Sequence, residues 1–121
     1  MNSAYNKDLS LIAKDESKKI DVFLKEGVYT ATFGPSYETK SEIKMFRSMG
    51  VDCVGMSTLY EVIAANFLNM RVLSFSCITN PAADRHTGEL NHQEVIDALK
   101  IAGPNLSKLV TNCAKRIIEK S

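Results

Sequence analysis

The chain has 121 residues, 45% of them hydrophobic and 24% charged, with 15 lysines and arginines against 14 aspartates and glutamates. That size and balance mark one ordinary soluble domain or a piece of one, and a net charge of +1 argues against a nucleic-acid or membrane partner. No apolar run reaches the roughly 18 residues of a membrane span, and no secretory h-region is present. Cys53, Cys77 and Cys113 are odd in number and lack metal-ligand spacing, so buried, reduced thiols in a cytoplasmic protein are expected.

In chain order, residues 4–19 place Tyr5, Leu9, Ile12 and Ala13 on one face of an amphipathic helix. After a short approach at 22–27, the β-branched and aromatic run 28–33 reads as a strand stopped by Gly34 and Pro35. Thr39 with Glu42 forms a capping box for a helix whose apolar face is Ile43, Phe46 and Met49 and which Gly50 ends. A second strand is expected over 51–56. Thr58 and Glu61 then read as a second capping box, opening a helix through Leu59, Val62, Ile63 and Phe67.

Residues 72–79 predict a third, central strand, because Ser74, Ser76 and Cys77 are small enough to be buried within it. Residues 81–90, with Asp84, Arg85, His86 and Gly88, read as a loop that is expected to move. Asn91 and Glu94 form a third capping box. The long helix after it carries Val95, Leu99, Ala102, Leu106, Leu109, Cys113 and Ile117 at 3–4 spacing, with a kink or break expected at Gly103-Pro104.

Strand, helix, strand, helix, strand, helix with short connections predicts an α/β fold, a mostly parallel sheet with flanking helices. Three such strands leave two open edges, so the chain is expected to oligomerise or to form part of a larger domain. The three strand ends carry Glu38, Ser57 and Asn80 toward the carboxyl edge, where open sheets bind ligands. Taken locally, each residue also has a plainer reading. Glu38 serves as a surface carboxylate at a helix start, Ser57 as an N-cap, and Asn80 before Pro81 as turn chemistry. Met56 and Tyr29 read locally as core residues, and His92 and His86 as solvent-facing histidines.

Four ordered motifs change that balance. Gly34-Pro35-Ser36-Tyr37-Glu38-Thr39, Val54-Gly55-Met56-Ser57-Thr58 followed by Glu61-Val62, Ile78-Thr79-Asn80, and Asn91-His92-Gln93-Glu94-Val95 resemble the carboxyl-terminal portion of trimeric purine nucleoside phosphorylases. The resemblance is collinear and spans nearly the whole chain, so residues 1–121 read as the C-terminal part of such a domain.

The resemblance implies cleavage of the N-glycosidic bond of inosine or guanosine by inorganic phosphate, giving the free base and ribose 1-phosphate in purine salvage. Glu38 and Asn80 would be the catalytic pair. Glu38 would accept hydrogen bonds from N1–H and the 2-amino group of guanine, and Asn80 would donate to the anion developing around N7 or O6. Tyr37 would cover the base, Tyr29 and Met56 would line the ribose, His92 would bind its 5′-hydroxyl, and Ser57 would hold phosphate. The implied partners are a purine nucleoside and inorganic phosphate as co-substrate, in a homotrimer, with no metal or further cofactor.

Glu38 together with Asn80 favours 6-oxopurines over the methylthioadenosine that related phosphorylases of this fold cleave. The family's Gly-rich phosphate loop, its phosphate-binding arginine and histidines, and the aromatic residue lent by a neighbouring subunit have no counterpart in residues 1–27. The isolated chain is therefore expected to have little phosphorolysis activity. A non-catalytic purine-binding or assembly module is the alternative from another functional class.

Overall fold

The computed structural model describes residues 3–85 and 92–119. Helix α1 (Lys7–Lys19) starts at the N-cap Asn6, whose side chain accepts from the Leu9 amide at 3.0 Å, so residues 4–6 stay outside the helix. Strand β1 (Tyr29–Ala31), helix α2 (Lys40–Ser48) and strand β2 (Cys53–Gly55) follow, then helices α3 (Leu59–Phe67) and α4 (His92–Glu119). The two strands pair in parallel, with Tyr29 opposite Cys53, Thr30 opposite Val54 and Ala31 opposite Gly55.

The expected capping box at α2 is present. The Thr39 hydroxyl accepts from the Glu42 amide at 3.3 Å, the Glu42 carboxylate accepts from the Thr39 amide at 2.7 Å, and Gly50 leaves the helix at φ +80°. The box expected at Thr58 and Glu61 is absent. Thr58 has φ +75° and makes no side-chain cap bond, because an N-cap hydroxyl reaches the helix only from extended backbone. Asn91, the cap expected for α4, lies outside the described residues, as do His86, Gly88 and the rest of 86–90.

Two further expectations need correction. Residues 72–79 form no strand, although Leu73 and Phe75 pack inward against the helical core. A strand is defined by its ladder, and apart from the Asn6 amide donating to the Val72 carbonyl at 2.9 Å, no pairing reaches this segment among the described residues. Of the kink or break expected at Gly103-Pro104 the break is absent, since both residues lie inside one 28-residue helix. The part beyond the proline is held by tertiary packing, which outweighs the one lost backbone bond.

That packing is the centre of the core. Leu109 and Cys113 of α4, 1% and 2% exposed, meet Leu9, Ile12 and Ala13 of α1, with Ile117, Val22 and Leu24 around them. Arg116 reinforces the pair, donating to Glu16 and to Asp15 at 3.0 Å each, while Lys19 donates to Glu16 at 2.7 Å. Burial pushes the Cys113 thiol up, so it is an inert core residue; Cys53 and Cys77 are half-buried.

Elsewhere the cover is thin. The molecule exposes 8938 Å², whereas a compact monomer of this size exposes about 6,500 Å². Phe33 is 92% exposed and Phe67 85% exposed, and only Val62 of the expected apolar face of α3 is buried. No helix among the described residues is long and apolar enough to cross a membrane.

Truncating Leu109 to alanine is expected to lower stability by about 2–5 kcal/mol in urea unfolding, since the cavity opens where α1 and α4 touch. Lys19 and Arg116 hold the Glu16 carboxyl below its ordinary value. Stability from Glu16 is therefore complete above the unfolded value of about 4.3 and is lost as pH falls through the lower folded value. Glu16→Gln should flatten the acid limb of a stability-versus-pH curve; an unchanged limb would show that Glu16 contributes nothing to it.

Candidate functional site

The parallel ladder ends where the candidate site begins. Past Ala31 the Thr32 amide still donates to the Gly55 carbonyl at 2.9 Å, so the two strand ends lie side by side as their chains turn into α2 and α3. Gly34 turns the first chain at φ +62°, and a Cβ there would meet the Met56 sulfur at 2.6 Å. Gly55 is equally close to Tyr29: a Cβ on it would lie 2.7 Å from the Tyr29 hydroxyl. Glycine is favoured at 34 by its positive φ, whereas the Met56 thioether is flexible enough to move aside, and the absent side chains let the two motifs touch.

Glu38 sits just before α2, half-buried, and accepts a 2.7 Å hydrogen bond from the Thr32 hydroxyl. Thr32 thus orients the carboxylate and leaves its other oxygen free to accept from a ligand. No sequence signal marked Thr32, because its partner lies across a turn rather than at a helical or strand spacing. Tyr37 and Met56 are both exposed, and the exposed Phe33 ring stands 6.5 Å from Tyr60 at a tilt of 46°.

Ser57 lies at the entry to α3. Its carbonyl accepts from the Tyr29 hydroxyl at 2.7 Å and from the Leu59 amide at 2.8 Å, its own amide approaches that hydroxyl at 3.3 Å, and its Oγ is 3.2 Å from the Thr58 Oγ1. The next residue, Thr58, is β-branched and at positive φ (φ +75°, ψ −41°), the centre of a γ-turn that the Leu59 amide closes on the Ser57 carbonyl; such a conformation costs on the order of 1–3 kcal/mol and persists only where neighbours enforce it.

Asn80 and His92 are not joined to this group. The Asn80 side chain is engaged locally, accepting from the Thr79 hydroxyl at 2.8 Å and donating to the Pro81 carbonyl at 3.2 Å. His92 opens α4 and is exposed. Neither hydrogen-bonds to Glu38, Met56 or Ser57 among the described residues. Four residues past Asn80, Asp84 pairs through both carboxylate oxygens with Arg47 of α2, tying this segment to the helix that Glu38 precedes. The Arg47 guanidinium holds the Asp84 carboxyl below its ordinary value.

The face is open. A hollow of about 460 Å³ beside α1 and one of about 390 Å³ around residues 3–8 contain none of these side chains. Among the described residues no cluster of three or more His, Cys, Asp or Glu is placed to hold a metal ion.

Residues 1–115 match the family model described as the phosphorylase superfamily. This chain belongs to that superfamily. It is 48% identical over 110 residues to purine nucleoside phosphorylase 1 of Bacillus subtilis, covering 91% of this chain and 41% of that protein. It is 50% identical over 97 residues to the Geobacillus stearothermophilus purine nucleoside phosphorylase 1, covering 80% and 35%. Among solved structures, a Schistosoma purine nucleoside phosphorylase in complex with hypoxanthine superposes with TM-score 0.86 at 30% identity, over 92% of this chain and 41% of that one. The Schistosoma mansoni enzyme in complex with inosine gives TM-score 0.81 at 32% identity, over 99% and 42%. The chain thus spans about two fifths of the length of the proteins it matches.

Gly34→Ala is expected to lower stability by about 1–2 kcal/mol, chiefly through its left-handed backbone. Gly103→Ala, inside α4 with nothing within 4 Å of a Cβ, should instead raise stability by about 0.5–1 kcal/mol in the same urea titration.

Proposed function

We propose that these residues serve phosphorolysis of 6-oxopurine nucleosides, inosine and guanosine, to free base and ribose 1-phosphate within a complete superfamily domain. The observation that carries the reading is the Glu38 carboxylate, fixed by Thr32 just past the end of β1, in the segment whose Gly34 lies against Met56 at the end of β2. The named relatives and the purine-bound structural neighbours support it.

In the transition state the ribose becomes cationic and the purine gathers negative charge, so the useful groups are those that stabilise this separation. Glu38 accepts from N1–H and the 2-amino group, holding the base in the tautomer and orientation that let it leave. Asn80 rotates away from Pro81 to donate to N7 or O6. Tyr37 covers the base, the Tyr29 ring and Met56 line the ribose, His92 holds the 5′-hydroxyl, and the Ser57 hydroxyl and the α3 amino terminus take phosphate. The working assembly in this reading is a cytoplasmic homotrimer.

The open face bears on the isolated chain. A site that cannot exclude water leaves its electrostatic groups screened, so the chain alone is expected to turn over inosine far more slowly than a complete phosphorylase. The same openness favours, as a second reading, a module that binds purines without catalysis.

The test is a chimera in which this chain replaces the matching stretch of the Bacillus subtilis enzyme. It should cleave inosine faster than methylthioadenosine, and Glu38→Gln should lower kcat/KM for inosine by about 10²–10³. A preference for methylthioadenosine, or a silent Glu38→Gln, would overturn the 6-oxopurine reading. For the chain alone, inosine turnover matching that of the Bacillus subtilis enzyme would refute the expected inactivity.

A further inference from the structure

Thr58 is a β-branched residue at φ +75°, and the α3 cap that would be its ordinary reason for sitting there is missing. The Leu59 amide closes the turn across it, donating to the Ser57 carbonyl at 2.8 Å, and the one side chain from another element that reaches the turn's hydrogen bonds among the described residues is that of Tyr29. The Tyr29 oxygen lies 2.7 Å from the Ser57 carbonyl and 3.3 Å from the Ser57 amide, so one side chain from β1 grips both ends of the residue before the strained one. The grip is prepared on both sides: the Tyr29 ring lies over Gly55, where any Cβ would displace it, and the ladder register sets Tyr29 opposite Cys53, two residues before Gly55.

We infer that Tyr29 is a positioning residue whose hydroxyl clamps the Ser57 peptide and helps keep Thr58 at positive φ, thereby setting where the Ser57 hydroxyl sits at the mouth of α3. A Thr58 at positive φ turns the chain sharply between β2 and α3, so Ser57 stays beside β1 instead of following the strand direction. Without the hydroxyl, the Ser57 amide loses its partner, and only the Leu59 amide, bonded to the Ser57 carbonyl across Thr58, still opposes relaxation of Thr58 to negative φ. The consequence for anion binding, though not the clamp itself, rests on the phosphate role proposed for Ser57.

Tyr29→Phe keeps the ring on Gly55 and removes only the oxygen. In the full chain, the strong intraresidue amide-to-Hα nuclear Overhauser effect that marks a positive φ at Thr58 should weaken in Tyr29→Phe, and the Ser57 amide should exchange about five- to tenfold faster. Thr58→Gly, which makes backbone at positive φ unstrained, should restore most of the stability that Tyr29→Phe removes. A Thr58 signal and Ser57 exchange rate unchanged in Tyr29→Phe would overturn the clamp. So would a loss of stability on Tyr29→Phe that is the same with and without Thr58→Gly, a comparison that still decides if the single variant folds poorly. Inorganic phosphate, titrated against the Ser57 amide, separates the two readings. A response at least tenfold weaker in Tyr29→Phe supports both; no response in the parent chain refutes the phosphate role of Ser57 and leaves the clamp standing on the backbone readouts.

Discussion

The candidate site depends on one short parallel pairing. Three residues of β1 against three of β2, closed by the Thr32 amide on the Gly55 carbonyl, bring two segments more than twenty residues apart in sequence to a common edge. The close approaches between the two segments follow from that register, Tyr29 over Gly55 and Gly34 against Met56, while Thr32 meets Glu38 across the turn within the first segment. A slip of one residue would turn each of these side chains to the opposite face of the sheet and dissolve the group. The Asp52 carboxylate, accepting from the Val28 amide at 2.8 Å, helps hold the start of the pairing in place.

Stability and function are assembled in different parts of the molecule. The dry core lies between α1 and α4, where Leu109 and Cys113 meet Leu9, Ile12 and Ala13, and the ion pairs of Arg116 lock the same two helices. The sheet and α3 hold most of the candidate site residues but little of the burial, and large apolar side chains such as Phe33 and Phe67 stand in solvent. Parallel strands are stable when both faces are covered, so this half of the molecule needs further polypeptide packed upon it. The chain's span of about two fifths of its relatives agrees with that need.

Strain is concentrated at the site as well. Gly34 adopts its positive φ without penalty, but Thr58 does not, and the difference shows how each turn is maintained: the first by the residue type, the second by the Leu59 amide and a hydroxyl from another strand, both bonded to the Ser57 carbonyl. Such an enforced turn fixes the Ser57 hydroxyl more narrowly than a flexible loop would, as the phosphate role proposed for it requires.

The sequence alone determined the features that local bonding controls. The Thr39–Glu42 capping box, the stop at Gly34, the order of strands and helices around β1 and β2, the apolar stripe ending in Leu109 and Cys113, and the superfamily itself were legible, because each lies in residue types at short fixed spacings. Tertiary structure decided the rest. Whether 72–79 could pair, whether α4 survived Pro104 and what holds the uncapped Thr58 at positive φ turn on partners distant in sequence, and which hydroxyl orients Glu38 turns on the path of a loop, from Thr32 to Glu38, that follows no regular spacing. A side chain's preference for a strand or a cap is a local bias of a few tenths of a kcal/mol to about one, and a single long-range hydrogen bond or buried contact is large enough to reverse it.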